Sequence, residues 1–205
     1  MSPWKSIFDF VLSFVAIIIL IPFFIIVSSL LIISYKSFNI LFIQDRIGKN
    51  LKLFKIIKFR TMIIHQSNNT ISVKGDSRIT PIGKYLRKYK IDELPELFNI
   101  VTGNMSFVGP RPDVPGYIDK LKGEDRIILK LRPGLTGLAS LKYINEEEIL
   151  ASVSDPKWYN DNVIFPDKVR INKLYYKNWT FWLDLKIIYH TLLRKPYKED
   201  NYFKS

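Results

Sequence analysis

The residues best suited to chemistry are two adjacent acids, Asp92 and Glu93, which precede a short apolar segment. Pro95 follows them, and proline is tolerated in the first turn of a helix because its missing N–H would be unpaired there anyway. Apolar residues then recur at helical spacing up to a glycine stop at Gly103, so we expect the acids at a helix N-terminus. Such acids usually act as caps, and the pair alone favours a structural role.

An arginine between two prolines changes that balance. Pro110 and Pro112 flank Arg111, and together they restrict the backbone toward an extended conformation. The guanidinium would be held out as a rigid two-pronged donor, a geometry suited to phosphate oxygens. The acids and the arginine together predict a site that holds a metal and a phosphate.

Composition limits the classes of protein and of site. The 205 residues suit one compact catalytic domain with an appendage. A net charge of +12 indicates an anionic partner, which can be a nucleic acid, an acidic membrane surface or a phosphorylated substrate. The chain has no cysteine, which excludes disulfides and thiolate sites. The two histidines, His65 and His190, show no ligand spacing.

The N-terminal segment indicates a membrane. Residues 10–33 carry no charge, and at about 1.5 Å per residue they reach roughly 36 Å, enough to cross a bilayer core of about 30 Å. Pro22 stands near the middle, where a sharp bend would let the chain dip into one leaflet and return. We therefore assign 1–36 to a membrane-inserted helix, spanning or re-entrant, and 37–205 to the catalytic domain.

The basic residues after this segment predict that the following domain is on the cytoplasmic side. A basic excess marks cytoplasmic flanks of membrane segments, and it is formed here by Lys36, Arg46, Lys49, Lys52, Lys55, Lys58 and Arg60. The apolar run is too long for a signal peptide and is followed by no small-residue cleavage site.

Local patterns predict the elements around the acids. Short β-prone runs with a turn near Gly48 indicate a hairpin over residues 40–60. A basic helix then opens at Pro81, and its Arg87 lies five residues before Asp92, close enough to point into the site. Residues 113–130 read as helical. The turn at 132–137 contains two glycines, which permit close backbone approach to a ligand.

The tail carries an apolar and aromatic stripe at helical spacing. Two uses suit such a stripe, a membrane interface or packing against the catalytic core, and the pattern favours neither. Its members are Trp182, Leu185, Tyr189 and Leu192.

Four segments resemble the monotopic phosphoglycosyl transferases, also called bacterial sugar transferases. They are KFRTM at 58–62, GKYLRKYKIDELPELFNIVTGNMSFVGPRP at 83–112, RPGLTGLA at 132–139 and YYKNWTFWLDLKII at 175–188. The resemblance implies an α+β fold that is mainly helical and not a Rossmann fold. It also implies a small β-hairpin, a proline-broken re-entrant membrane helix and amphipathic interface helices.

The same resemblance implies a reaction. A UDP-sugar would donate its sugar 1-phosphate to a polyprenol phosphate and release UMP, on the cytoplasmic face of a bacterial inner membrane. Asp92 would attack the donor and form a covalent phosphosugar, while Glu93, with Asp92, would hold Mg²⁺. The implied phosphate-binding residues are Arg111, Arg87, Lys58 and Arg60. The implied partners exclude nucleic acid, and downstream glycosyltransferases are candidates.

Three departures from the family pattern bear on this inference. Ile21 stands before Pro22, where serine is common in the family. A further acid is expected at the position of Asn172, and Asp167 is the nearest acid that would substitute. The run 140–174 differs most from small family members, so the sugar is left open. Two alternatives are a membrane-anchored glycosyltransferase that releases UDP and a tethered basic binding protein without chemistry.

Overall fold

The computed structural model describes residues 3–63, 76–195 and 197–203, and it confirms a mainly helical α+β fold. The helices are α1 (Pro3–Tyr35), α2 (Pro81–Lys88), α3 (Glu96–Val101), α4 (Leu138–Lys142), α5 (Glu146–Ala151), α6 (Pro156–Tyr159), α7 (Phe165–Lys177) and α8 (Phe181–Leu192). The strands are β1 (Leu41–Ile47), β2 (Leu53–Phe59), β3 (Ser106–Val108) and β4 (Gly134–Thr136). Within the described ranges these strands form two separate two-stranded sheets, so the fold is not a Rossmann fold.

The predicted hairpin is confirmed. Strands β1 and β2 pair antiparallel, with Leu41 opposite Phe59 and Ile47 opposite Leu53. The connection runs through a 3₁₀ turn over Lys49–Leu51, where Asn50 has a φ of 55°. Asparagine tolerates this left-handed conformation better than most residues, so the turn chemistry agrees with the sequence.

The second sheet was not predicted. Strands β3 and β4 pair in parallel, with Ser106 opposite Gly134 and Val108 opposite Thr136. The glycines of the 132–137 turn approach the backbone around Gly109, where an added Cβ at Gly134 would collide with the Gly109 amide. They therefore allow close approach to another segment of the protein, whereas the sequence indicated a ligand.

The segment predicted as one helix over 113–130 is two separate 3₁₀ turns. These are Ile118–Lys120 and Gly123–Lys130. Gly116 and Gly123 have φ values of 108° and 56°, and positive φ is incompatible with a continuous right-handed helix. The prediction of a helix here was wrong because the glycines interrupt it.

The long N-terminal helix continues through Pro22. Helix α1 is apolar enough to cross a membrane, with a mean hydropathy of 3.2 over its most apolar window. The helix assignment from Pro3 to Tyr35 shows no interruption at the proline. The re-entrant path therefore stays a prediction.

Both ends of α1 contact the domain that follows it. Lys5 forms a buried ion pair with Asp184 on α8. At the other end the Tyr35 hydroxyl donates to the carbonyl oxygen of Arg60 at 2.8 Å. Between these ends the inner face packs on the apolar cores beneath β2 and α3, through Ala16, Ile17, Leu20, Phe23, Phe24, Val27 and Leu31.

The outer face of α1 remains apolar and exposed. Its exposed side chains include Trp4, Ile7, Val11, Phe14, Ile18, Ile25 and Ile33. Since a water-facing helix surface is normally polar, this face marks the side of the molecule that meets lipid.

Helix α8 presents its aromatic stripe outward. Trp182 and Leu192 are 77% and 78% exposed, whereas Leu183 and Ile187 belong to the core cluster. The exposed members of the predicted stripe therefore do not pack on the catalytic core, and its use at a membrane interface stays a prediction.

Candidate active site

The acids lie in a tight turn between two helices. Asp92 and Glu93 belong to a 3₁₀ turn, Ile91–Glu93, and α3 begins only at Glu96. Lys90 precedes the turn with a φ of 58°, a left-handed conformation that redirects the chain. Both acids are buried. The predicted helix N-terminus is thus one turn too early, although the acids do precede a packed helix.

Glu93 is surrounded by cations from two other elements. Its Oε1 accepts from Lys58 Nζ of β2 at 3.0 Å and from Arg111 Nη2 at 2.5 Å. Burial alone would raise the pKa of Glu93, but the charges of Arg111 and Lys58 outweigh it and hold that pKa well below its usual range. The fold therefore brings three residues of the predicted site into direct contact.

Asp92 has a different environment. Burial, and then the negative charge of Glu93, raises its pKa above the usual range, against the opposing charges of Lys58, Lys90 and Arg87. Its Oδ1 is buried and has no hydrogen-bond partner among the described residues. An unpartnered buried carboxylate oxygen is costly unless a ligand completes it.

Glu96 is a third acid of the cluster that sequence reasoning missed. It is 2% exposed, and its Oε1 lies 3.0 Å from Lys58 Nζ. Burial raises its pKa, the charge of Lys58 lowers it, and the net shift is upward. The available signal was its spacing, because residues three apart lie on the same face of a helical turn.

Arg87 faces the site from α2 and is paired with the divergent segment. Its Nη2 forms an ion pair with Glu147 of α5, and its charge lowers the pKa of Asp92. Arg87 is therefore an electrostatic neighbour of Asp92, and its role in phosphate binding stays a prediction.

Two other predicted residues lie in different surroundings. The Arg60 guanidinium stacks over the Tyr35 ring at 4.7 Å, at the C-terminal end of α1, and its role in phosphate or headgroup contact stays a prediction. Asp167 accepts hydrogen bonds from Lys142 Nζ at 2.6 Å and from the Tyr143 hydroxyl at 2.8 Å. These contacts place it in an ion network on α7, and its role as an accessory acid stays a prediction.

The carboxylates suit a metal that needs few protein ligands. No cluster of three potential metal ligands exists within the described parts of the chain. Mg²⁺ is usually held by one or two carboxylates together with substrate phosphates and water. The unpartnered Oδ1 of Asp92, next to Glu93, fits that limited requirement.

The structure thus combines a buried acid in contact with Lys58 and Arg111 with a helix long and apolar enough to cross a membrane. The family model for bacterial sugar transferases matches residues 1–195. The chain belongs to this family. His65 and the rest of 64–75 lie outside the described residues, although they fall within the matched range.

Similarity to characterised and named sugar transferases covers most of the chain. It is 29% identical over 197 residues to a UDP-glucose:undecaprenyl-phosphate glucose-1-phosphate transferase of Klebsiella pneumoniae. It is 31% identical over 189 residues to a UDP-N-acetylgalactosamine-undecaprenyl-phosphate N-acetylgalactosaminephosphotransferase of Aeromonas hydrophila. These matches cover 93% and 88% of this chain but only 40% and 42% of the relatives.

A shorter relative matches over most of its own length. The exopolysaccharide production protein ExoY of Sinorhizobium fredii is 33% identical over 205 residues, which is 92% of this chain and 83% of that protein. The sugar-transferase unit of this family therefore corresponds to nearly the whole chain described above.

Proposed function

We propose that the protein transfers a sugar 1-phosphate from a UDP-sugar to undecaprenyl phosphate or a similar polyprenol phosphate and releases UMP. The observation that carries this proposal is the buried, unpartnered carboxylate oxygen of Asp92, on which the charges of Lys58, Lys90 and Arg87 act. The activities for which the Klebsiella and Aeromonas relatives are named agree with it. Such a reaction would serve the first membrane step of glycoconjugate synthesis.

The first step uses Asp92 as the nucleophile. A carboxylate oxygen attacks the β-phosphorus of the donor, and the bond from that phosphorus to the bridging oxygen breaks. UMP leaves with the bonding electron pair, and the phosphosugar remains on Asp92. Covalent catalysis of this kind divides one difficult transfer into two easier ones.

The second step regenerates the enzyme. A phosphate oxygen of the polyprenol phosphate attacks the same phosphorus, and the bond to the Asp92 oxygen breaks. The product is a polyprenol diphosphate sugar, and Asp92 returns as a free carboxylate. Neither step needs a net proton transfer when both nucleophiles are ionised.

The surrounding cations would bind the phosphates of the donor. Lys58 and Arg111 share Glu93 as a partner, so they are held within reach of one anionic group. Arg87 pairs with the more exposed Glu147, which a phosphate can displace. Mg²⁺ held by Glu93 and Asp92 would neutralise charge between the donor and the acceptor.

The contacts of α1 support a monotopic position at the membrane. If α1 crossed the bilayer, its contacts at Lys5 and Tyr35 would carry charged groups of the attached domain, such as Asp184 and Arg60, toward the hydrocarbon core. Burial of such charges in lipid is expensive. We infer that both ends lie on the cytoplasmic side of the inner membrane, with the exposed apolar faces of α1 and α8 in one leaflet.

Two other functions would use parts of the same surface. A glycosyltransferase that releases UDP would need no covalent carboxylate. A basic membrane-binding protein without chemistry would need scattered cations. It would have no use for three buried acids at 9%, 7% and 2% exposure, two of which, Glu93 and Glu96, form ion pairs with those cations.

Product identity and an intact-mass measurement test the reaction. Purified protein with UDP-sugar, Mg²⁺ and polyprenol phosphate should release UMP, and without the acceptor it should gain the mass of one phosphosugar. Asp92→Asn, nearly isosteric but a poor nucleophile, should form no adduct. The exposed-acid variant Asp45→Asn should behave as wild type. Release of UDP, or an adduct that survives Asp92→Asn, would contradict the proposal.

A further inference from the structure

Arg46 is a partly buried cation near Arg111. Among the described residues it has no acidic partner. Its Nη1 donates to the carbonyl oxygen of Pro112 at 3.2 Å, and its Nη2 donates to Gln44 Oε1 at 2.6 Å. Its Nε is buried without a hydrogen-bond partner, and no carboxylate within the described residues forms an ion pair with it. Burial, and then the charge of Arg111, lowers its pKa, so Arg111 is an electrostatic neighbour.

Asp113 is an acidic residue next to Pro112, the residue that Arg46 contacts. Its carbonyl oxygen accepts from the Ile47 amide at 3.0 Å, which fixes its backbone against β1. Its carboxylate is partly buried, yet among the described residues it accepts no hydrogen bond and forms no ion pair. Burial raises the pKa of Asp113 to about 6 in spite of the nearby charges of Lys168 and Arg46.

It is unusual for two partly buried groups of opposite charge, such as Arg46 and Asp113, to lack an ion pair with any of the described residues. Partly buried charges are normally paired and hydrogen-bonded, because desolvation costs free energy that only a partner recovers. Lys168 does not supply the partner, since its Nζ bonds both carboxylate oxygens of Glu146 at 2.7 Å. The backbone contacts at Pro112 and Ile47 nevertheless fix Arg46 and Asp113 in place.

Their position relates them to the phosphate site. In the hairpin register Phe42 pairs with Lys58 and Arg46 pairs with Phe54, so Arg46 and Lys58 lie on the same face. Asp113 follows Arg111 by two residues in the proline-restricted loop. Arg46 is therefore on the same face of the hairpin as Lys58, and Asp113 is in the same loop as Arg111, so both belong to the elements that carry the predicted phosphate-binding residues.

We propose that Arg46 and Asp113 form a hydroxyl-binding subsite for the donor, next to the site of its diphosphate. The carboxylate would accept from a hydroxyl of a sugar ring, and the guanidinium would donate to a hydroxyl oxygen of the same ring. Both the hexose and the ribose of a UDP-sugar carry neighbouring hydroxyls. This inference rests on the proposed donor class and adds residues that determine which donor is accepted.

The test is Asp113→Asn, which keeps the shape of the side chain but removes its charge, together with Arg46→Gln. Asp45→Asn is the matched control, because Asp45 is the exposed neighbour of Arg46 on β1. Affinity for UMP and for a panel of UDP-hexoses is measured by calorimetry with all variants in the Asp92→Asn background, so that no turnover is needed.

We expect each subsite variant to weaken binding of the preferred UDP-hexose at least tenfold, with no change in the control. If the subsite binds the hexose, the variants keep the wild-type affinity for UMP, and the difference in affinity between UDP-hexoses with epimeric sugars becomes smaller. A subsite for the ribose weakens UMP and every UDP-hexose equally.

Thermal unfolding checks that both variants are folded. Unchanged affinity for UDP-hexose in both would overturn the subsite, and so would an equal loss of affinity in the control. Failure of the proposed reaction is a separate result. In that case the Asp92→Asn parent protein binds UDP-hexose, but the wild-type protein releases no UMP. The binding data still decide whether the subsite exists. A parent protein that binds no UDP-hexose would overturn both.

Discussion

Asp92 and Glu93 are neighbours in the chain, but their surroundings move their pKa values in opposite directions. Arg111 and Lys58 keep Glu93 charged against its burial. Asp92 is raised by burial and by Glu93, and its Oδ1 lacks a partner. Two acids whose pKa values are pushed apart usually have different roles. This division agrees with the proposed roles, in which Glu93 stays ionised and binds the metal ion and Asp92 is the nucleophile.

Lys90 provides a test of the Asp92 titration. An ionised Asp92 is required for attack, so kcat/KM should fall as pH decreases through its pKa, which is raised above the usual value for aspartate. The charge of Lys90 opposes that rise. Lys90→Asn, which preserves the left-handed backbone conformation, should therefore move the acid limb of the pH profile to higher pH by a few tenths of a unit.

Lys84→Gln is the control for this experiment. Lys84 is exposed on α2 and is not among the leading charges that act on Asp92. The prediction fails if both variants shift the acid limb equally, or if Lys90→Asn moves it to lower pH.

At the scale of elements, the position of Arg111 depends on two backbone segments that touch without side chains between them. The Gly109 amide donates to the Thr136 carbonyl at 2.9 Å, and the Gly134 amide donates to the Pro110 carbonyl at 2.7 Å. The sequence predicted a stiff loop from its prolines. It did not predict that a distant glycine turn holds that loop, because strands of three residues are too short to show a periodic pattern.

Gly134→Ala should displace Arg111. Its Cβ would collide with the Gly109 backbone, and overpacking of this kind typically costs about 1–3 kcal/mol. We expect a lower unfolding temperature in detergent and a higher KM for the UDP-sugar. Both are measurable on the purified protein.

Gly103→Asn is the matched substitution at a glycine outside this contact. Gly103 has a φ of 76° and open space around it, and asparagine tolerates positive φ. Its unfolding temperature and KM should stay near the wild-type values. Wild-type kinetics in Gly134→Ala would contradict the positioning role of the turn.

For the whole molecule, the contacts at the two ends of α1 lead to a topology prediction. The chain has no native cysteine, so Ser2→Cys and Ser205→Cys can each be labelled in a clean background. Because Lys5 and Tyr35 both contact the same domain, a membrane-impermeant thiol reagent should reach both positions from the cytoplasmic side only. Opposite accessibility of the two cysteines would establish a spanning helix and exclude the monotopic arrangement.

The sequence by itself determined the local features of this protein. The hairpin, the apolar N-terminal helix, the basic helix before the acids and the stiff arginine loop all follow from short-range patterns of polarity, glycine and proline. The family motifs in turn predicted that Asp92, Glu93, Arg111, Arg87 and Lys58 belong to one site. These features depend on residues that are close together in the chain.

Only the tertiary structure decided how these features combine. It brought Lys58 and Arg111 onto Glu93, added Glu96 to the cluster, left Arg46 and Asp113 unpaired beside it, and turned the α8 stripe outward. Burial and ion pairing depend on contacts between distant segments, and local patterns do not encode those distances. For the same reason the opposite pKa shifts of the two adjacent acids emerge only from the folded chain.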